Sequence, residues 1–257
     1  PDSLERLIDL RRGIVLVTGM TGSGKSTTLS AMIDAINQKH AKHIITIEDP
    51  IEFVHKDHKS IINQRSVGQD ARDFSSALRA ALREDPDIIL VGEMRDMETI
   101  EMALQAAETG HLVFSTLHTL DAKETINRII GVFPPHEQNR IRFALSGVLQ
   151  SVVSQRLVRT VDNKRRAAVE VLHRTPRIES LIRENRDSEI FEALSEGREV
   201  YGTQTFDQCL LDLWLKEAIS SEEALSHASA PADLKLKMSS LKQKGEDAGV
   251  GVIGLKQ

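Results

Sequence analysis

Between the apolar run Ile14-Val15-Leu16-Val17 and a stretch carrying Leu29, Met32, Ile33 and Ile36 lies the segment Gly19-Met20-Thr21-Gly22-Ser23-Gly24-Lys25-Ser26. The apolar run is the pattern of a buried strand, and the i, i+3, i+4, i+7 spacing after it marks one helix face. The segment joining them fits G-x-x-x-x-G-K-[ST] at every fixed position. Glycines there permit backbone angles that turn several N–H groups inward. A helix opening at Lys25 adds its unsatisfied N–H groups and the positive end of its dipole. Such a cradle suits a polyphosphate, with Lys25 reaching the outer phosphates and the Ser26 hydroxyl ligating Mg²⁺. Gly19, Thr21, Gly22, Ser23, Gly24, Lys25, Ser26 and Thr27 are therefore the candidate nucleotide contacts, with ATP and Mg²⁺ as the expected ligands.

A strand–loop–helix unit of this kind belongs to an α/β fold, and the following sequence agrees. Apolar runs at His43 to Ile47, Ile88 to Val91 and Leu112 to Thr116 read as strands of a mostly parallel sheet flanked by helices. Phe74, Ala77, Leu78, Ala81 and Leu82 mark a helix starting at Asp73 and ending before Pro86. Met97, Ile100, Leu104 and Ala107 mark another that ends near Gly110. After Arg159 one strand-like run remains, Ala167 to Leu172, and the rest reads as short amphipathic helices. The expected organisation is thus a core over 1–160, a mainly helical C-terminal subdomain over 161–241, and a flexible tail over 242–257, where four glycines break any period.

Composition narrows the function classes. The one cysteine, Cys209, falls on an apolar helix face with Phe206, Leu210, Leu213 and Trp214 and reads as a core thiol. It excludes an intrachain disulfide and a multi-cysteine zinc cage, which points to a reducing cytoplasm. A formal net charge of −5 gives no reason to expect a nucleic-acid partner. No apolar stretch reaches membrane-spanning length and no signal peptide is visible. The chain starts at Pro1, as expected of a processed chain or a piece of a longer one.

A phosphate loop needs carboxylates at neighbouring strand ends to hold the metal or orient the attacking water. Asp87-Ile-Ile-Leu-Val-Gly-Glu93 delivers Glu93 to the carboxyl end of its strand, the side on which open α/β sheets bind ligands. Gly92 occupies the usual Walker B aspartate position. Thr46-Ile-Glu48-Asp49-Pro50-Ile-Glu52 places three more carboxylates after another strand, of which Glu52 is the stronger candidate. His111 and His118 bracket the run Leu112 to Thr116, and His118 at the strand end is placed to sense a terminal phosphate. Arg65, Arg79, Arg83 and Arg95 are candidates to reach a neighbouring subunit's nucleotide.

These segments resemble the secretion-type motor ATPases of type IV pili, in particular the PilT/PilU retraction branch. The resemblance runs from about Gly13 to Leu241. It is densest over the phosphate loop, TIEDPIEF (Thr46 to Phe53), NQRSVGQD (Asn63 to Asp70), ALREDPDIILVGEMRD (Ala81 to Asp96) and AETGHLVFSTLHT (Ala107 to Thr119). It implies a RecA-like core, with nucleotide and Mg²⁺ on Lys25 and Ser26. Glu52 and Glu93 would share metal binding and water activation, and His111 and His118 would form a histidine box. It implies a hexameric ring on the cytoplasmic side of the inner membrane, working on a pilus platform protein beside other retraction ATPases. The family's N-terminal PAS-like domain is absent from this sequence. The retraction signature AIRNLIRE stands here as RIESLIRE (Arg177 to Glu184), and GTQTFDQCLLDL and ADLKLKM lean towards PilU. The rival readings are a pilus-assembly or type II secretion ATPase, whose usual four-cysteine zinc element is missing, and a nucleic-acid translocase on the same core.

Overall fold

The computed structural model describes residues 2–247. The chain opens with α1 (Asp2–Glu5), a 3₁₀ turn and β1 (Gly13–Thr18), then α2 (Lys25–Lys39), β2 (His43–Glu48), β3 (Ile61–Ser66) and α3 (Phe74–Ala81). It continues through β4 (Ile88–Val91), α4 (Met97–Glu108), β5 (Leu112–Leu117), α5 (Ala122–Gly131), α6 (Gln138–Val148), β6 (Leu149–Arg159) and β7 (Arg165–His173). The closing helices are α7 (Pro176–Arg183), α8 (Ile190–Glu196), α9 (Arg198–Tyr201), α10 (Phe206–Leu215), α11 (Ser221–Ser226) and α12 (Pro231–Asp247). Among the described residues no helix is long and apolar enough to cross a membrane.

Seven strands form one sheet in the order β3-β2-β4-β5-β1-β6-β7. The first six run parallel, and β7 returns antiparallel on β6. β1 lies inside, buried at every position, because its side chains feed two cores in alternation. Ile14 and Leu16 meet α3 to α8, whereas Val15 and Val17 meet α2 and α10 to α12. Local chemistry sets the helix starts. Asp73, Asp96 and Asp121 each accept a backbone N–H three residues on, capping α3, α4 and α5.

The expected boundary at 160/161 falls in the turn between β6 and β7. β7 completes the sheet through nine paired residues with β6, and Leu172 and Val171 enter opposite cores. The helices after it divide between the two faces. Ile178, Leu181, Ile182, Ile190 and Leu194 join the first core, and Leu210, Leu213, Trp214 and Leu234 join the second. Helical pattern alone gave no sign of this, because the burying surface is a sheet strung from distant segments. The start of the expected tail over 242–257 is helical. α12 runs to Asp247, and the Lys242 ammonium stands 5.7 Å from the Trp214 ring. The remainder of that stretch, 248–257, lies outside the described residues.

Candidate nucleotide-binding site

The parallel register brings Thr18, Glu48, Val91 and Leu117 to one edge of the sheet, and the segments leaving those strands enclose an open cleft of about 1340 Å³. The phosphate loop forms its floor. Gly24 is the N-cap of α2, left-handed at φ 90°, and it offers no side-chain hydrogen bond, so the first turn's N–H groups are left for an anion. Gly19 is glycine for want of space. At φ 142°, a Cβ there would stand 2.5 Å from Gln155 O and from Ser23 Oγ.

Lys25 is 8% exposed, and its Nζ donates to the carbonyls of Gly19 (2.7 Å) and Met20 (3.2 Å). Burial pushes its pKa below the usual lysine value, against the opposing pull of Glu93 and Glu52. A buried ammonium satisfied only by carbonyls is a cation awaiting an anion. These groups fit a bound polyphosphate, and a Mg²⁺ ion held mainly by phosphate and water needs only a hydroxyl and a nearby carboxylate from the protein. Ser26 Oγ donates to Glu52 Oε1 at 3.1 Å, which supplies that pair.

Glu52 reaches this position on the loop between β2 and β3, and that loop is anchored from beneath. Buried Asn37 of α2 donates to Lys56 O (2.8 Å) and accepts from the N–H groups of His58 (3.0 Å) and Ser60 (3.2 Å). Gln64 of β3 donates to Phe53 O (2.8 Å) and accepts from His55 N (2.9 Å). Glu48, the weaker carboxylate candidate, is occupied by Thr46 (2.6 Å) and Gln64 (3.2 Å). Its setting is that of a strand-end brace.

Glu93 follows β4 and lies on the other side of the cleft. Its Oε1 sits 2.5 Å from Arg95 Nε and 3.4 Å from His118 Nε2. The carboxylate beside it raises the Arg95 pKa above the usual guanidinium value. Glu93, expected as a metal partner of Ser26, contacts Arg95 and His118, and the carboxylate within hydrogen-bond distance of the Ser26 hydroxyl is that of Glu52. Arg95, expected to reach a neighbour, is used within its own chain. Arg65 and Arg79 pair with Glu84 and Glu98.

Thr21, Gly22, Gly24, Lys25, Ser26, Thr27, Glu52, Glu93 and His118 all line the one cleft. His111 does not. It precedes β5, where its carbonyl accepts from Gly13 N at the amino edge of the sheet, and its Nδ1 lies 2.9 Å from Ala106 O. β5 separates the two histidines, and within this chain His118 borders the cleft while His111 does not. Sequence reasoning passed over Asn37, Gln64 and Gln155. Their only signal was a side-chain amide beside or within an apolar run.

Residues 1–231 match the family described as Type II/IV secretion system protein. The chain belongs to that family. Among its relatives, the type IV pilus retraction ATPase PilT of Pseudomonas aeruginosa is 55% identical over 227 residues, covering 88% of this chain and 66% of PilT. The type IV pilus ATPase PilU of the same organism is 44% identical over 237 residues, covering 92% of this chain and 62% of PilU. The crystal structure of the pilus retraction motor PilT with bound ADP superposes with a TM-score of 0.86 at 50% identity, covering 91% of this chain and 66% of that one. The chain thus spans 62–66% of the length of these secretion-family relatives.

Proposed function

We propose that this chain is the ATP-hydrolysing part of a motor that retracts type IV pili. The observation that carries this reading is the convergence of Lys25, Ser26, Glu52, Glu93 and His118 on one cleft in a chain 55% identical to PilT. Lys25 exchanges the carbonyls of Gly19 and Met20 for the outer phosphates, and the α2 terminus neutralises charge behind them. Ser26, with Glu52 beside it, would hold Mg²⁺, which would supply charge neutralisation at the outer phosphates. Glu52 orients that side of the cleft through the Ser26 hydroxyl. Glu93, next to His118, is the better placed acceptor for the attacking water's proton, and turnover requires Arg95 to release it.

Glu52→Gln and Glu93→Gln should each lower kcat by at least about tenfold while ADP still binds. An unchanged rate in either variant removes that residue from the mechanism.

A single cysteine is too few for the four-cysteine zinc element expected of an assembly motor, and the higher identity to PilT than to PilU favours the retraction motor over its accessory partner. Arg183 supports a partner-facing role. Ile178, Leu181 and Ile182 of α7 are buried, while Arg183 and Glu184 are exposed. In this reading the motor works as a homo-oligomeric, hexameric ring on the cytoplasmic face of the inner membrane, against a platform protein and beside other retraction ATPases. Charge reversal at Arg183 should leave ATP hydrolysis largely intact and give piliated cells that do not twitch. Bald cells on deletion of the gene would instead identify an extension motor.

A further inference from the structure

β6 runs parallel to β1 with Ser154 opposite Thr18, so Gln155 stands at the carboxyl edge just where the phosphate loop begins. It is 2% exposed, and its Nε2 donates to Ser23 O at 3.1 Å, joining segments 132 residues apart. Its Oε1 is buried and has no hydrogen-bond partner among the described residues. The Ser23 hydroxyl, on a residue 6% exposed, is likewise buried without one. Buried polar groups are seldom left unpaired, and an amide oxygen and a hydroxyl are complementary. Here both unpaired atoms belong to residues already joined by a hydrogen bond, inside the one loop that has to change when phosphate enters. In the present arrangement Lys25 Nζ is bound to Gly19 O and Met20 O. Ser23 Oγ fills the space beside Gly19, whose carbonyl must give up that ammonium to the phosphate.

We propose that Gln155 is a positioning residue that registers occupancy of the phosphate loop. When phosphate draws Lys25 Nζ away from Gly19 O, the loop shifts and the Ser23 O–H donates to Gln155 Oε1. The pair is unsatisfied in the arrangement in which Lys25 holds Gly19 O and is satisfied once the loop shifts, so it favours the shifted arrangement. Because β6 continues through Arg159 into the hairpin that carries β7, the same side chain mechanically links the loop to the far edge of the sheet. This rests on reading the cleft as a nucleotide site.

A double-mutant cycle on the full chain tests it, with ADP affinity and the Tm without nucleotide as the two readouts. Ser23→Ala and Gln155→Met should each weaken ADP binding by about fivefold, the equivalent of one net hydrogen bond. The double variant should bind no worse than the weaker single one. Ser23→Ala should not lower the Tm of the empty chain, since it deletes a hydroxyl that has no partner there. Gln155→Glu serves as a second variant that keeps the shape and the acceptor. It should restore coupling to Ser23 even where its lost donation to Ser23 O reduces stability. Additive losses in ADP affinity, or a Tm loss equal with and without ADP, would overturn the proposal. A wild-type chain that fails to bind ADP would overturn the nucleotide reading itself.

Discussion

Lys25 and Arg142 are both 8% exposed, and the contrast between these two buried cations separates the working edge of the molecule from its frame. Arg142 of α6 meets Asp187 through two contacts, Nη2 to Oδ2 at 2.8 Å and Nη1 to Oδ1 at 3.0 Å, and donates to Ile182 O at 3.2 Å. Its charge is matched, its geometry is bidentate, and it ties α6 to the turn after α7. Lys25 has no carboxylate within bonding distance, and burial lowers its pKa. One cation is finished as structure, and the other is left incomplete for a ligand.

If that distinction holds, removing the two charges should act on different quantities. Lys25→Ala should abolish ATP turnover and strongly weaken nucleotide binding, because it deletes a charge-assisted contact worth about 1.5–3 kcal/mol in the bound state and more in the transition state. The same substitution should leave the Tm of the empty chain unchanged or raised, since a desolvated cation is removed. A steady-state ATPase assay beside thermal melts reads both, and wild-type turnover would sink the site.

Asp187→Ala should do the reverse. It strands the Arg142 guanidinium in the interior, and breaking a buried pair from one side costs about 3–5 kcal/mol. Chemical denaturation should show that loss, while turnover per folded molecule stays near wild type at low temperature. A comparable loss of kcat would mean that the frame and the working edge are not separable.

Glu170 offers a third buried charge and a smaller effect. It accepts the Ala122 N–H at 2.9 Å, and burial raises its pKa from 4.5 to about 7. Asp121 and Asp207 push in the same direction, while the Ala122 bond and Arg156 oppose it. The unfolded carboxyl ionises first, so this group's stabilising contribution is complete below about pH 4.5 and is lost as pH rises through about 7. Glu170→Gln keeps the acceptor without the charge. It should gain on the order of 1–3 kcal/mol over wild type at pH 8 and nothing near pH 4.5. A gain independent of pH would show that ionisation is not the cause.

The working edge was legible in the sequence because its signals are local. The phosphate loop is one contiguous segment, and Glu93 and His118 each follow an apolar strand that points them to the same edge. The frame was less legible because its partners are distant. Arg142 and Asp187 are 45 residues apart, and neither falls in a recognisable pattern. β7 looked like the last strand of a helical region, since only its pairing with β6 reveals which sheet it extends. Glu52 was found by its neighbours in the acidic run, but the amides of Asn37 and Gln64 that hold its loop leave no periodic trace. The contact of Arg95 with Glu93 was not legible either, because the sequence does not show that the two side chains lie within reach of each other.

The smallest effect is expected at His111, and it gives the sharpest test of where the working edge ends. His118 lies 3.4 Å from Glu93, so His118→Ala should reduce turnover by at least about tenfold. His111 stands at the other end of β5, whose six residues at about 3.3 Å each put on the order of 20 Å between the two imidazoles. Its ring faces Ala106 O and Thr109 Oγ1, the groups that end α4, so its role in this chain is to hold the turn into the strand. His111→Ala should therefore leave kcat within about twofold of wild type and cost only a modest loss of Tm, as expected for a part-buried hydrogen bond to Ala106 O. Measuring turnover over a range of protein concentration makes the result decisive. A uniform tenfold loss would place His111 in its own chain's chemistry, against the geometry. A loss confined to concentrations at which the chain self-associates would instead carry the imidazole into a neighbour's cleft, and the amino edge of the sheet would then belong to the working surface of the assembly.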